Sequence, residues 1–229
     1  MINVLANDGI SKSGKDSLEK DGFNVSTVTV AQNQLISYVN KENISVLLVR
    51  SATTVRKDLI DQCPGLKIIG RGGVGMDNID VDYARNKGIN VINTPAASSA
   101  SVAELVFAHL YSGVRFLFES NRAMPLEGDS NFKGLKKAYA KGVELRGKTI
   151  GIIGFGRIGR ETAKIAIGVG MKVLAYDKFL EKADLTLDFH DGKKIDFEIK
   201  ISKFEYLLKN SDFISLHVPA QKNFVINKK

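Results

Sequence analysis

The chain has 229 residues, of which 44% are hydrophobic and 25% charged, with a formal net charge of +8, enough for two modest domains or one large one. Its single cysteine, Cys63, excludes an intrachain disulfide, and this residue and the three histidines share no metal-ligand spacing, so no metal is expected. No apolar run reaches membrane-spanning length, and Met1 leads directly into a strand-like segment with no leader pattern, so the expectation is a soluble cytoplasmic protein without a membrane partner.

Residues 1–97 read as repeated strand-helix units. Strands are expected at Ile2 to Ala6, Phe23 to Val28, Val46 to Val49, Lys67 to Ile69 and Asn90 to Ile92, and helices at Lys12 to Lys20, Gln32 to Lys41, Val55 to Gln62 and Val81 to Lys87. This alternation predicts an α/β domain with a parallel sheet covered on both faces, of the flavodoxin-like kind. Asn93-Thr94-Pro95-Ala96-Ala97-Ser98 then interrupts the pattern and marks a hinge.

Ser101-Val102-Ala103-Glu104 reads as a capping box opening a long helix to about Ser120. Val102, Leu105, Val106, Leu110, Val114 and Leu117 recur at helical spacing, so one face should be buried, and His109 within it should be packed or capped rather than catalytic. Met124 to Gly147 is polar and basic and reads as a connector. Most of the charge excess lies in this second half: residues 1–100 carry 11 basic and 10 acidic side chains, residues 101–229 carry 22 and 15. The cluster Lys133, Lys136, Lys137, Lys141, Arg146 and Lys148 contains one aromatic, Tyr139, and matches no nucleic-acid-binding motif, so a solvated face is the better reading and no nucleic-acid partner is expected.

From Thr149 the sequence runs Ile150-Gly151-Ile152-Ile153-Gly154-Phe155-Gly156-Arg157-Ile158-Gly159, a Gly-x-Gly-x-x-Gly pattern between an apolar strand and a helix. Gly154 suits the tight turn, Gly156 lets a pyrophosphate approach the backbone, and Gly159 lets the helix pack on the strand. The helix offers free N–H groups and its positive dipole end to the phosphates. A second strand, Lys172 to Tyr176, ends at Asp177, close to the spacing of a ribose-binding acid. Its carboxylate would accept the ribose hydroxyls and repel a 2′-phosphate, which predicts NAD over NADP. Leu185, Leu187 and Phe189, then Ile195, Phe197, Ile199 and Ile201, alternate with polar residues around Asp191-Gly192 and predict a β-hairpin. A short helix at Lys203 to Lys209 and a strand at Asp212 to Leu216 follow, and His217-Val218-Pro219 leaves that strand on the ligand-binding side of such a sheet.

Taken in order, several segments resemble a known family: Val49-Arg50-Ser51-Ala52-Thr53, Gly70-Arg71-Gly72-Gly73-Val74-Gly75-Met76-Asp77-Asn78, Asn93-Thr94-Pro95, Val102-Ala103-Glu104-Leu105, the glycine pattern, Asp177, and Ser215-Leu216-His217-Val218-Pro219. The chain resembles the D-isomer-specific 2-hydroxyacid dehydrogenases, and most of all their phosphoglycerate-oxidising branch, which opens the phosphorylated route to serine. The resemblance implies a substrate-binding domain over residues 1–97 and the first part of a Rossmann NAD-binding domain over residues 98–229, beginning with the long helix.

It also implies a small anionic 2-hydroxy acid as substrate, NAD as cofactor and a homodimer. Arg50, Ser51, Arg71, Gly73 and Val74 would face the substrate, with the Gly73-Val74 backbone offering N–H groups to its carboxylate. For Arg71 a surface salt bridge is the alternative. Gly154, Gly156, Arg157, Ile158, Gly159, Asp177, His217, Val218 and Pro219 would hold the cofactor. The family's catalytic arginine, glutamate and histidine fall later than Lys229, so no catalytic residue is assigned, and the chain as given is expected to be inactive. Glyoxylate, hydroxypyruvate and D-lactate reductases on the same scaffold, an NAD-sensing corepressor-like module, and an inactive cofactor-binding fragment remain as alternatives.

Overall fold

A computed structural model describes residues 1–219 and 225–226. The chain divides into two compact units, Met1–Ser98 and Ser99–Lys229.

Unit 1 alternates strands and helices throughout: β1 (Ile2–Ala6), α1 (Lys12–Lys20), β2 (Phe23–Ser26), α2 (Leu35–Lys41), β3 (Ile44–Val49), α3 (Lys57–Gln62), β4 (Ile68–Arg71), α4 (Val81–Asn86) and β5 (Asn90–Asn93). All neighbouring strands pair in parallel, in the order β2-β1-β3-β4-β5. That order is the flavodoxin-like doubly wound arrangement, whose ligands bind beyond the strand C-termini where the winding reverses, here between β1 and β3. The central strands are apolar almost throughout because both faces are covered. Leu5, Leu47 and Ile69 are fully buried with Leu35, Val39, Leu59 and Ala84 from the helices, while Val4, Val25 and Val46 form a smaller cluster. Cys63 lies in the larger core, where burial pushes its thiol up to about 11.

Unit 2 opens with α5 (Ser99–Val114), α6 (Leu117–Glu127) and α7 (Phe132–Tyr139). Three expectations are corrected here. Ser101 is inside α5, two residues past its start, so its hydroxyl does not stand at an N-cap. The single long helix is broken at Phe116, whose left-handed backbone (φ 54°) separates α5 from α6. Half of the expected connector is helical, because α6 continues through Pro125 and α7 buries Leu135. Burial in α5 falls on Ser99, Ala103 and Phe107, while Leu105, Leu117 and His109 are exposed.

Strands β6 (Thr149–Ile153), β7 (Lys172–Tyr176) and β10 (Phe213–Leu216) form a parallel sheet in the order β10-β6-β7, with α8 (Arg157–Gly168) and α9 (Phe204–Asn210) packed against it. Such a parallel β-α-β unit is the nucleotide-binding half of a Rossmann fold. Helix α5 packs on α8. The expected hairpin forms from β8 (Lys182–Asp188) and β9 (Lys194–Lys200) in antiparallel register. Ala183 and Leu185 lie opposite Ile199 and Phe197 and face the core. The other face carries exposed pairs such as Lys182–Glu198 (2.8 Å) and Lys194–Asp188 (3.0 Å), which contribute little to stability in open solvent.

Candidate functional site

Each unit carries a candidate site at the C-terminal ends of its parallel strands. In unit 1 a cavity of about 210 Å³ is lined by residues that include Ile10, Val49, Arg50, Arg71 and Asn93. Asp8, just past β1, organises the loop after β3. Its Oδ2 accepts the N–H groups of Arg50 (2.6 Å) and Thr53 (3.1 Å), and its Oδ1 accepts the Thr53 hydroxyl (2.5 Å). Burial would raise this carboxyl, but the Thr53 hydroxyl and the N–H groups of Arg50, Thr53 and Ala52 outweigh it and hold the group below the usual carboxylate range. Asn7 supports the same loop, donating through Nδ2 to Thr53 Oγ1 (2.8 Å) and Val30 O (3.1 Å).

Asn78 ties the two arginines together. Its Nδ2 donates to Arg50 O and Thr53 O, both at 2.6 Å, and its Oδ1 accepts Arg71 Nε–H at 3.1 Å. Arg71 makes no salt bridge among the described residues, so the surface-pair alternative finds no partner there. Its guanidinium lies against Gly73, where any Cβ would collide with Nη1. The Gly73 N–H points inward and donates to Arg71 O (3.0 Å). Of the expected Gly73-Val74 donor pair, the Gly73 N–H is thus engaged within the chain, and that of Val74 stays uncommitted among the described residues. Arg50, which lines the cavity, is exposed, as are Ser51 and Val74, and the Val74 carbonyl is held by Asn93 Nδ2 (2.7 Å).

In unit 2 the three glycines have distinct surroundings. Gly154 has φ +92°, and a Cβ there would fall 2.6 Å from His217 O. A Cβ on Gly159 would strike Gly154 O, so α8 sits against the turn as closely as its backbone allows. Gly156 is exposed, with nothing within 4 Å of a Cβ position. It is the N-cap of α8, has no side-chain cap, and no acidic residue follows in the first turn. The first intrahelical bond runs from Arg160 N–H to Gly156 O (3.0 Å), leaving the N–H groups of Arg157, Ile158 and Gly159 without intrahelical acceptors. The open side of Gly156 thus faces a positive helix end that can take an anion.

Asp177 closes this turn. Its Oδ2 accepts Phe155 N–H and its Oδ1 accepts Phe179 N–H, both at 2.9 Å, and each oxygen keeps a lone pair for a further donor. His217 is held by its backbone, with N–H to Ile153 O (2.7 Å), and by its ring, with Nε2 at 3.0 Å from Ser215 Oγ and 3.3 Å from Thr162 Oγ1. Thr162 gives its own proton to Ile158 O (2.9 Å), so its contact with His217 requires a protonated Nε2. Burial lowers the pKa of His217. Val218 Cγ1 lies beside Gly154, and Pro219 is exposed. The supporting residues, Asn7, Asp8, Thr53 and Asn78 in unit 1 and Thr162 in unit 2, were given no role from the sequence, although Thr53 and Asn78 close two of the segments that carry the family resemblance. For Asn7 and Asp8 a signal exists: a polar pair directly follows the apolar β1.

The family described as D-isomer specific 2-hydroxyacid dehydrogenase, catalytic domain, matches residues 4–223. The chain is 40% identical over 228 residues to hydroxypyruvate reductase from Thermotoga maritima, covering 98% of this chain and 68% of that protein. It is 36% identical to D-3-phosphoglycerate dehydrogenase from Methanocaldococcus jannaschii, covering 96% of this chain and 39% of that one. Among solved structures, an NAD⁺-bound 3-phosphoglycerate dehydrogenase from Entamoeba histolytica superposes with a TM-score of 0.67 at 28% identity, covering 97% of this chain and 64% of that one. The chain therefore spans from about two fifths to about two thirds of the length of these relatives.

Proposed function

Since the chain belongs to the D-isomer-specific 2-hydroxyacid dehydrogenases, a family of oxidoreductases, we propose that it serves the NAD-dependent oxidation of D-3-phosphoglycerate to 3-phosphohydroxypyruvate, the first step of phosphorylated serine biosynthesis. The observation that carries the choice of substrate is the pair of guanidinium groups, Arg50 and Arg71, at one small cavity. A simple 2-hydroxy acid has one anionic group, whereas phosphoglycerate has two, and guanidinium groups bind carboxylate and phosphate in bidentate geometry. Ser51 and the Val74 N–H would add donors, and Gly73 leaves space for the Arg71 guanidinium.

The residues of unit 2 fit a dinucleotide. Gly156 leaves room for the pyrophosphate, the N–H groups of Arg157, Ile158 and Gly159 can bind it, and Asp177 has lone pairs for the ribose hydroxyls. Gly154 sets the turn, His217 and Val218 lie beside it, and these two with Pro219 would face the cofactor. A nicotinamide cofactor held by these residues would supply the hydride acceptor. This chain's residues bind and orient the two molecules. The proton acceptor is not assigned to any of its histidines: His109 and His190 are exposed, and His217 is tied to hydroxyl groups. The exposed Leu105, Leu117, Phe118, Met124 and Leu126 on α5 and α6 support a homodimer, which sedimentation analysis would test.

A second reading, reduction of hydroxypyruvate or glyoxylate, is favoured by the greater identity to the Thermotoga maritima reductase. The deciding experiment compares kcat/KM of the full-length protein for 3-phosphohydroxypyruvate, hydroxypyruvate and glyoxylate with NADH. A preference of tenfold or more for the phosphorylated acid is expected, and the reverse order would overturn the phosphoglycerate assignment.

A further inference from the structure

We propose that Asn78 is a positioning residue that holds Arg71 in its anion-binding pose and couples it to the Arg50 loop. The inference rests on reading the unit 1 cavity as the acid-binding site. Asn78 is 6% exposed, and its side chain makes one hydrogen bond to Arg71 and two to the loop that carries Arg50. The orientation of the amide is fixed by chemistry. Two backbone carbonyls, Arg50 O and Thr53 O, face one end and require donors, while Arg71 Nε–H faces the other and requires an acceptor.

Only an uncharged amide meets both demands at this length. A carboxylate would serve Arg71 but oppose the two carbonyls, and an alkyl group would leave three polar groups without partners. Arg71 spends one of its five N–H donors on Asn78 and keeps four for an anion. Its guanidinium lies over the space left by the missing side chain of Gly73, and its side-chain anchor among the described residues is the Nε–H bond to Asn78. Arg50 directly follows β3 and Arg71 ends β4, neighbouring strands that pair at Val49 and Arg71. The last backbone bond between the two segments runs from Gly72 N–H to Val49 O (2.9 Å), and Asn78 adds its three side-chain hydrogen bonds beyond it.

Two variants of the full-length protein separate positioning from general support. Asn78→Asp keeps the acceptor for Arg71 and loses the donors; Asn78→Leu loses both. Both should melt below the wild type. Asn78→Leu should raise KM for 3-phosphohydroxypyruvate or hydroxypyruvate by roughly ten- to hundredfold, the span of one charge-assisted hydrogen bond, with KM for NADH unchanged. Asn78→Asp should stay within about threefold of wild type. Independently of turnover, the Arg71 Nε–H nuclear magnetic resonance signal, identified by its loss in Arg71→Lys, should be protected from exchange in wild type and Asn78→Asp and unprotected in Asn78→Leu.

A KM that follows melting temperature in both variants, or a protected Arg71 signal in Asn78→Leu, would overturn the proposal. If the wild type reduces no 2-oxo acid, the reading of the cavity fails, and the Arg71 signal still decides whether Asn78 positions it.

Discussion

Gly156 and Gly159 stand three residues apart in one turn, yet alanine should affect them in opposite ways. At Gly156 the backbone angle, φ −76°, is open to any residue, and a Cβ would meet nothing within 4 Å. Alanine is a poorer N-cap than glycine, a loss of about 1 kcal/mol, but it restricts the unfolded chain and returns about 0.4–1 kcal/mol. The net change in stability is therefore about zero. The added methyl group would stand where the pyrophosphate must approach, and losing one charge-assisted N–H contact of about 1.5–3 kcal/mol weakens NADH binding roughly ten- to hundredfold. At Gly159 a Cβ would press on Gly154 O and lie 3.2 Å from Ile152 Cγ2. Overpacking against backbone costs about 2–3 kcal/mol, equivalent to a fall in Tm of about 4–12 °C for a chain of this size. The assays are thermal melts and NADH titration. Because the chain has no tryptophan, the binding signal is the emission of NADH itself. An unchanged Kd in Gly156→Ala, or an unchanged Tm in Gly159→Ala, would refute the assignment of separate roles.

Asp177→Ala removes the proposed ribose acceptor and releases the Phe155 and Phe179 N–H groups; NADH affinity should fall roughly ten- to hundredfold and the preference for NADH over NADPH should shrink, so parallel titrations showing an undiminished preference would contradict the reading. Asp8 is predicted to make unit 1 sensitive to acid. Its folded pKa is depressed, so its contribution is complete above the unfolded value of about 3.9 and disappears as pH falls through the folded pKa. Asp8→Asn should accordingly flatten the decline of stability below about pH 4, as read by urea melts across that range.

The sheets and the nucleotide turn were legible because their signals are local. An apolar run followed by Gly154, Gly156 and Gly159 encodes strand, turn and helix within ten residues, and the alternation at Leu185 and Leu187 encodes one face of β8. The helices after the hinge were misread for an equally local reason. The polar, basic composition from Met124 onward suggested a connector although α6 continues to Glu127, and the real break falls at Phe116, whose left-handed backbone no composition rule anticipates. The buried polar network was hidden because its partners are distant in sequence: Asp8 and Thr53 are 45 residues apart, and Asn78 and Thr53 are 25 apart. Such pairs exist only once parallel strands have brought their ends together.

The hairpin also implies an order of assembly. Every pairing in the two parallel sheets needs a crossover, and β1 finds β3 only by closing the chain between Asn3 and Ile44, a slow event because the entropy of closure precedes its reward. Strands β8 and β9 meet across the short turn from Phe189 to Lys193, and hairpins of this kind form in about 1–10 μs. Pulsed hydrogen exchange should therefore find the cross-strand amides of Lys182–Asp188 and Lys194–Lys200 protected before those of β6 or β7. The earliest ordered segment would then be one that belongs to neither parallel sheet, ready to receive α8 when the nucleotide-binding unit condenses.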